Sequence, residues 1–253
     1  MKVCISAALF CLFLVGWAGA EEEKEPIQIA MAQPTVKLDV KLSTHTVVKT
    51  VYLTFDDGPS QYTSRVLDTL KKQGVPATFF VCGNKSAEGI ALFKRISAEG
   101  HALGNHSFSH NPKNYKNPDD FLKDLAKEDD NLSSATGQRP RIMRFPYGSN
   151  TTQVSSEKMH AVVAAVLKAG YAYFDWTVDP QDWSSGATKQ SILQTIMSQA
   201  KASKRNFAIV LMHDNQLHSV EALPEVIEFF KAQGYRFEKL TPEADTFRFA
   251  KPL

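Results

Sequence analysis

Two carboxylates and two imidazoles in this 253-residue chain are spaced as metal-assisted chemistry would require. Asp56 and Asp57 are adjacent and run into Gly58-Pro59, a turn signal that is compatible with a site. His106 and His110 are four residues apart. On a helical turn that spacing puts both rings on one side, within reach of one cation. Two histidines and a carboxylate with open positions have the form of a catalytic metal site. In extended backbone successive side chains alternate, so Asp56 and Asp57 are expected to point apart and divide the work. One would ligate the metal, and the other would accept a proton from water made more acidic by the cation.

The elements that must position these groups follow from the apolar spacing. Residues 51–55 read as a strand ending in the Asp56-Asp57 pair, and 62–72 as a helix carrying Tyr62, Val66, Leu67 and Leu70 on one face. The unit then repeats. Strand 77–81 leads to helix 87–98, strand 101–104 through a long loop to helix 119–134, and strand 142–145 to helix 157–168. Strand 171–174 leads to helix 188–202, strand 208–212 to helix 223–232, and a last strand lies near 235–237. Glycines 74, 100, 137, 170 and 234 close the helices. This alternation predicts an α/β fold in which a parallel sheet wrapped by helices curls into a barrel of seven or so units. In such a barrel all strand ends share one face, where active sites are built. Asp56-Asp57, Asn105-His106, Arg144 with Tyr147, Asp179 with Asp182-Trp183, and His213-Asp214 would converge there.

Composition narrows the class. With 29 Lys+Arg against 27 Asp+Glu and no basic stripe, nothing draws the chain to nucleic acid or an anionic membrane. Residues 1–20 carry Lys2, an apolar run from Val3 to Val15 and small residues ending at Ala20, which describes a secretory signal peptide cleaved after Ala20. The run is short for spanning ~30 Å of hydrocarbon. An exported, periplasmic or secreted protein without membrane attachment is expected. Cleavage removes Cys4 and Cys11, which leaves Cys82 as the one thiol and allows no internal disulfide. At the end of an apolar run, Cys82 reads as a buried strand residue rather than a nucleophile. Residues 21–48 read as a lead-in, with a possible surface strand where 36–42 alternates, and 49–253 as one domain.

The segments TFDDGPS at 54–60, HSFSH at 106–110, RFPYG at 144–148, DPQDW at 179–183 and LMH at 211–213 resemble, in order, the five motifs of the NodB-homology polysaccharide deacetylases, carbohydrate esterase family 4. The resemblance spans about residues 51–235. It implies a distorted, incomplete (β/α) barrel of 7–8 strands and metal-dependent removal of acetyl groups from N-acetylglucosamine polymers. It further implies Asp56 as general base, His213 as general acid, and Asp57, His106 and His110 as ligands of one divalent metal, zinc foremost, with cobalt or another ion as alternatives. Arg144 would pair with Asp56, Asp182 would orient His213, and Trp183 and Leu211 would wall the acetyl pocket. A backbone N–H near Tyr147 would help hold the oxyanion, which makes Tyr147 a substrate-binding residue.

Rival readings are a non-catalytic carbohydrate-binding relative, disfavoured by an intact acid and base, and a non-haem iron oxygenase, disfavoured by the second Asp. Among substrates, the peptidoglycan glycan strand comes first, chitin oligomers second, and acetyl xylan or an exopolysaccharide third. A monomer is expected. His45, His101, His160 and His218 read as structural, Asp179 as loop-shaping, and Asn105 as a brace of the ligand loop.

Overall fold

The computed structural model describes residues 48–250. The expected signal peptide and cleavage site, the surface strand at 36–42, and His45 lie outside the described residues.

β1 (Thr50–Gly58) is the hub of the sheet, and it is buried on both faces almost throughout. That suits a strand with helices outside it and a packed barrel interior within. On one edge β1 pairs with β6 (Phe207–His213) from Thr50 to Asp56. Its other edge meets β7 (Arg236–Phe237) at Thr50 and Val51, and then β2 (Thr78–Val81) from Thr54 onward. β3 (Ala102–Asn105), β4 (Ile142–Met143) and β5 (Ala172–Tyr173) follow in the order β5-β4-β3-β2-β1-β6, and every pairing is parallel. Seven strands thus form a parallel, incomplete barrel. At the open seam the chain beyond β5 docks on β6, with Val178 bridging Val210 and Leu211 N–H donating to Val178 O at 2.9 Å.

Alternation sorts each strand between two layers. Val51, Leu53 and Phe55 face outward into the main cluster with α1 (Thr63–Gln73), α2 (Ala87–Ala98), α5 (Lys189–Ala202) and α6 (Leu217–Ala232). Met143, Phe145 and Tyr173 pack against α3 (Pro118–Thr136) and α4 (Ser156–Lys168). Tyr52, Phe80, Ile142, Phe174 and Ile209 form the inner cluster. Two residues on from these inward positions come Thr54 and then Asp56 on β1, Arg144 after β4, and Leu211 and then His213 on β6. The period of two therefore delivers the polar groups to the inner face at the C-terminal end.

The helices end largely as read. Gly74 and Gly137 take left-handed caps at φ 65 and 74, and Ser86 and Asn117 cap α2 and α3 by accepting from Gly89 N and Asp119 N. Two expectations change. A 3₁₀ turn, Pro112–Lys116, lies within the long loop. α6 begins at Leu217 instead of residue 223, so Pro224 is interior to it. The apolar face Val220, Leu223, Val226, Ile227 and Phe230 is continuous across the proline. Burial of that face outweighs the missing N–H, which by itself costs about 3 kcal/mol.

Candidate active site

Asp57 and the two histidines meet although neither local expectation about their backbone holds. Asp57 is not extended: its φ is 68, and the β1–β2 register slips between Asp56 and Gly58. The two carboxylates consequently lean toward the same imidazole instead of pointing apart. His106 Nε2 lies 3.4 Å from Asp57 Oδ1 and 3.8 Å from Asp56 Oδ2. His110 Nε2 is 3.3 Å from the same Asp57 Oδ1. Nor are the histidines on a helix. They flank a loop with Ser107 at φ 66 and His110 at φ 51, closed by His110 N–H donating to Ser107 Oγ at 3.0 Å. Asp57, Ser107, His110, Tyr147 and Gln181 are the non-glycine residues with positive φ among the described residues, and all lie at the C-terminal end of a strand or in the loop that follows one. Each costs about 1 kcal/mol or more, which the surrounding packing must supply.

The donor set fits a cation. One ligand atom each from Asp57, His106 and His110 lies within 4.8 Å of the others. His106 Nδ1 is 2.9 Å from Arg144 O. A carbonyl only accepts, so Nδ1 carries the proton and Nε2 keeps its lone pair for a metal. Asp57 Oδ1 is buried without a hydrogen-bond partner, an expensive state that a bound cation would relieve. Burial alone would raise the Asp57 carboxyl, but the neighbouring imidazoles, His106 first and then His110 and His213, hold it well below the usual carboxylate range. Burial, with His106 beside it, lowers His110 and keeps it neutral.

Arg144 is fully buried and reaches across the barrel interior. Its Nη1 donates to Asp56 Oδ1 at 2.8 Å and to Thr54 Oγ1 at 2.7 Å, while Nε and Nη2 donate to Phe174 O and Asp175 O. Asp56 is level with His213 in the β1–β6 register. His213 Nδ1 is 2.7 Å from Asp182 Oδ1, and Asp182 Oδ2 accepts the His213 backbone N–H at 2.8 Å and the Ser219 hydroxyl. Burial would lower the His213 pKa, but the hydrogen bond and charge of Asp182, with Asp56 and Asp57, outweigh it and push it up to about 9. The His213 Nε2 lies 4.0 Å from Asp57 Oδ2.

Asp56, Asp57, His106, His110 and His213 border a cavity of about 380 Å³ whose apolar wall is Tyr147, Trp176, Trp183 and Leu211, whereas Arg144 and Asp182 stand behind it. Trp183 is 60% exposed, and Tyr147 is 46% exposed. Asp179 also borders the cavity, where its carboxylate accepts Gln181 N–H in a local turn. Cys82 lies one residue past β2 and is only partly buried, and burial raises its thiol pKa. His101 is structural, accepting Ala77 N–H at Nδ1. Asn105 does brace the ligand loop: its amide accepts Ser107 N–H and donates to Leu125 O and Asp129.

Several contributors escaped the sequence reading. Trp176 lies two residues past an apolar run and carries no motif. Asp124 and Asp129 sit on the inner face of α3 among Phe121, Leu125 and Leu132, where acids at apolar positions were a readable signal. Asp175 is fully buried and accepts Ser149 N–H and hydroxyl.

Residues 43–172 match the polysaccharide deacetylase family, a stretch that holds Asp56, Asp57, His106, His110 and Arg144. The chain belongs to the polysaccharide deacetylase family. Its fold is that family's distorted, incomplete (β/α) barrel, and family membership makes it a hydrolase. It is 32% identical to a peptidoglycan-N-acetylglucosamine deacetylase of Bacillus cereus over 232 residues, covering 88% of this chain and 82% of the relative. It is 39% identical to a chitooligosaccharide deacetylase of a Bradyrhizobium strain, covering 66% of this chain and 71% of the relative. Among solved structures, the catalytic domain of a peptidoglycan N-acetylglucosamine deacetylase from Eubacterium rectale superimposes with a TM-score of 0.75 at 33% identity, over 80% of this chain and 93% of that one. Among the described residues of this deacetylase-family chain, no helix is long and apolar enough to cross a membrane.

Proposed function

We propose that the protein hydrolyses the acetamido group of N-acetylglucosamine residues in a cell-wall polysaccharide, peptidoglycan foremost, releasing acetate and leaving glucosamine. The observation that carries this reading is an imidazole held by Asp182 and a carboxylate held by Arg144, level with each other on β6 and β1, with the unpartnered Asp57 oxygen and two imidazoles beside them. An amide needs both a proton acceptor for attacking water and a proton donor for the departing amine.

Asp57, His106 and His110 would hold one divalent cation, zinc foremost given the nitrogen-rich set. A cation there supplies Lewis-acid polarisation of a carbonyl and makes water more acidic. The remaining work belongs to the chain. Asp56, aimed by Arg144, takes the proton from attacking water. The Tyr147 backbone N–H steadies the developing oxyanion, and loss of such a donor typically costs about 3 kcal/mol. His213 Nε2 gives its proton to the leaving amine, while Asp182 fixes the ring at Nδ1 and keeps it charged. Tyr147, Trp183 and Leu211 enclose the acyl group.

Peptidoglycan is favoured by the names of the Bacillus and Eubacterium relatives and by the signal-like residues 1–20, which fit an exported envelope enzyme. Chitin oligomers are the second reading, favoured by the Bradyrhizobium relative. Acetate release from purified peptidoglycan, chitin oligomers and acetylated xylan, measured side by side, decides between them. Release fastest from peptidoglycan supports the proposal. Release from xylan alone, or from none, overturns it.

A further inference from the structure

Part of the cavity's apolar wall is backed by residues 247–249. Trp176 borders the cavity and is half-buried, unlike the outlying Trp183. Its ring lies 5.7 Å from the Arg144 guanidinium that holds Asp56, so it stands beside the reacting groups rather than at the rim. On one side, Phe249 meets it edge-on at 5.1 Å, with Phe247 behind Phe249 at 5.4 Å. Next to it Gly148, at φ 78, allows the Tyr147 loop to close in: a Cβ there would come within 2.9 Å of the indole.

The segment 247–250 is stitched to the same groups. Phe247 O accepts Asp175 N–H at 3.0 Å, Asp175 Oδ2 accepts Phe249 N–H at 2.8 Å, and Ala250 N–H donates to Ser149 Oγ at 2.8 Å. Asp175 in turn holds the Ser149 backbone N–H at 2.8 Å, and its carbonyl receives Arg144 Nη2 at 3.1 Å. The strap therefore runs beside the chain leaving β5, at the seam where the barrel is open, and contacts the wall and the Tyr147 loop together.

Building on the deacetylase reading, we infer that Trp176 is a specificity-determining wall of the acyl pocket, and that Phe249 in the C-terminal strap is the positioning residue that holds it close enough to select acetyl over longer acyl groups. An indole backed by a second aromatic ring is held against retreat when a longer acyl group presses on it. When the backing ring is removed, the indole gains freedom to retreat. In an apolar pocket one methylene is worth on the order of 10–200-fold in discrimination.

Two measurements test this. The first is the ratio of kcat/KM for N-acetylglucosamine over N-propionylglucosamine tetramers. Phe249→Ala should reduce the ratio about tenfold, and Phe249→Tyr should restore it. An unchanged ratio in Phe249→Ala overturns the inference. Phe249→Leu keeps apolar volume, so it should shift the ratio the same way by less even if Phe249→Ala folds poorly. The second measurement needs no turnover. The chain has three tryptophans, so in a Trp17→Phe/Trp183→Phe background Trp176 is the one indole left. Phe249→Ala should then red-shift its emission and increase its quenching by acrylamide, and unchanged emission overturns the inference. A parental protein that releases neither acyl group from the tetramers nor acetate from peptidoglycan, while the emission shift appears, would sink the deacetylase reading and leave the placement of the wall standing.

Discussion

At the scale of single residues, the contacts of His213 make a signed prediction about pH. A general acid works only while protonated, so activity should fall as pH rises through its pKa, about 9 here. Asp182→Asn removes the largest influence that raises it and lets burial draw it back toward the ordinary imidazole value of 6.5. The alkaline limb of the kcat profile should move to lower pH in that variant, and a limb that stays in place would remove Asp182 as the orienting group. Metal retention offers a separate check. Asp57→Ala or His106→Ala should leave the folded protein unable to keep a cation through dialysis, as elemental analysis would show, whereas His213→Ala should keep it. Residue types were legible because this chemistry draws on few side chains: the Asp pair, the His pair and the late His213 were all visible. Trp176 and Asp175 were not, because an indole and an acid after a strand do not reveal what packs against them.

At the scale of elements, α3 is the template of the histidine loop. Asp124 accepts Ser109 N–H and hydroxyl at 3.0 Å each, while Asn105 ties Ser107 to Leu125 O and Asp129. Asn105→Ala would strand these buried partners, for a loss of about 1–3 kcal/mol of stability. It should also weaken cation affinity roughly 10–100-fold, the usual consequence of removing support behind a ligand. Competition with a chromogenic chelator measures the second effect. Affinity equal to the parent would show that the loop holds its left-handed residues without α3. The order of strands and helices was readable because alternation and helical spacing differ in period. The backbone of the site was not. Asp57 leaves the extended region and the histidines leave helical geometry, and both departures depend on contacts from β2, α3 and β4 that sequence spacing does not encode.

At the scale of the whole molecule, the inward column of each strand turns a packed barrel into a site at one end, and the helices outside supply the stability the strained loops require. One buried group works against that stability. Burial pushes Glu128, fully enclosed on α3, up to about 8 from 4.5, and its Oε1 lacks a partner. An acid raised on folding gives stability that is complete below its unfolded pKa and is lost as pH rises through the folded value. Stability should therefore decline between about pH 4.5 and 8, by on the order of 5 kcal/mol. In Glu128→Gln that part of the decline should vanish, as Tm against pH would reveal; parallel curves for the two proteins would contradict it. The barrel class was legible from the count of units, while the seam between β5 and β6 and the strap that crosses it were not, since both are long-range contacts.

The most direct test of the account is acetate release and bound metal measured on the same samples of the parent and Asp56→Asn. The parent should release acetate, and Asp56→Asn should hold the same amount of metal yet release acetate at least about 100-fold more slowly. Hydrolysis by Asp56→Asn at the parental rate would contradict it.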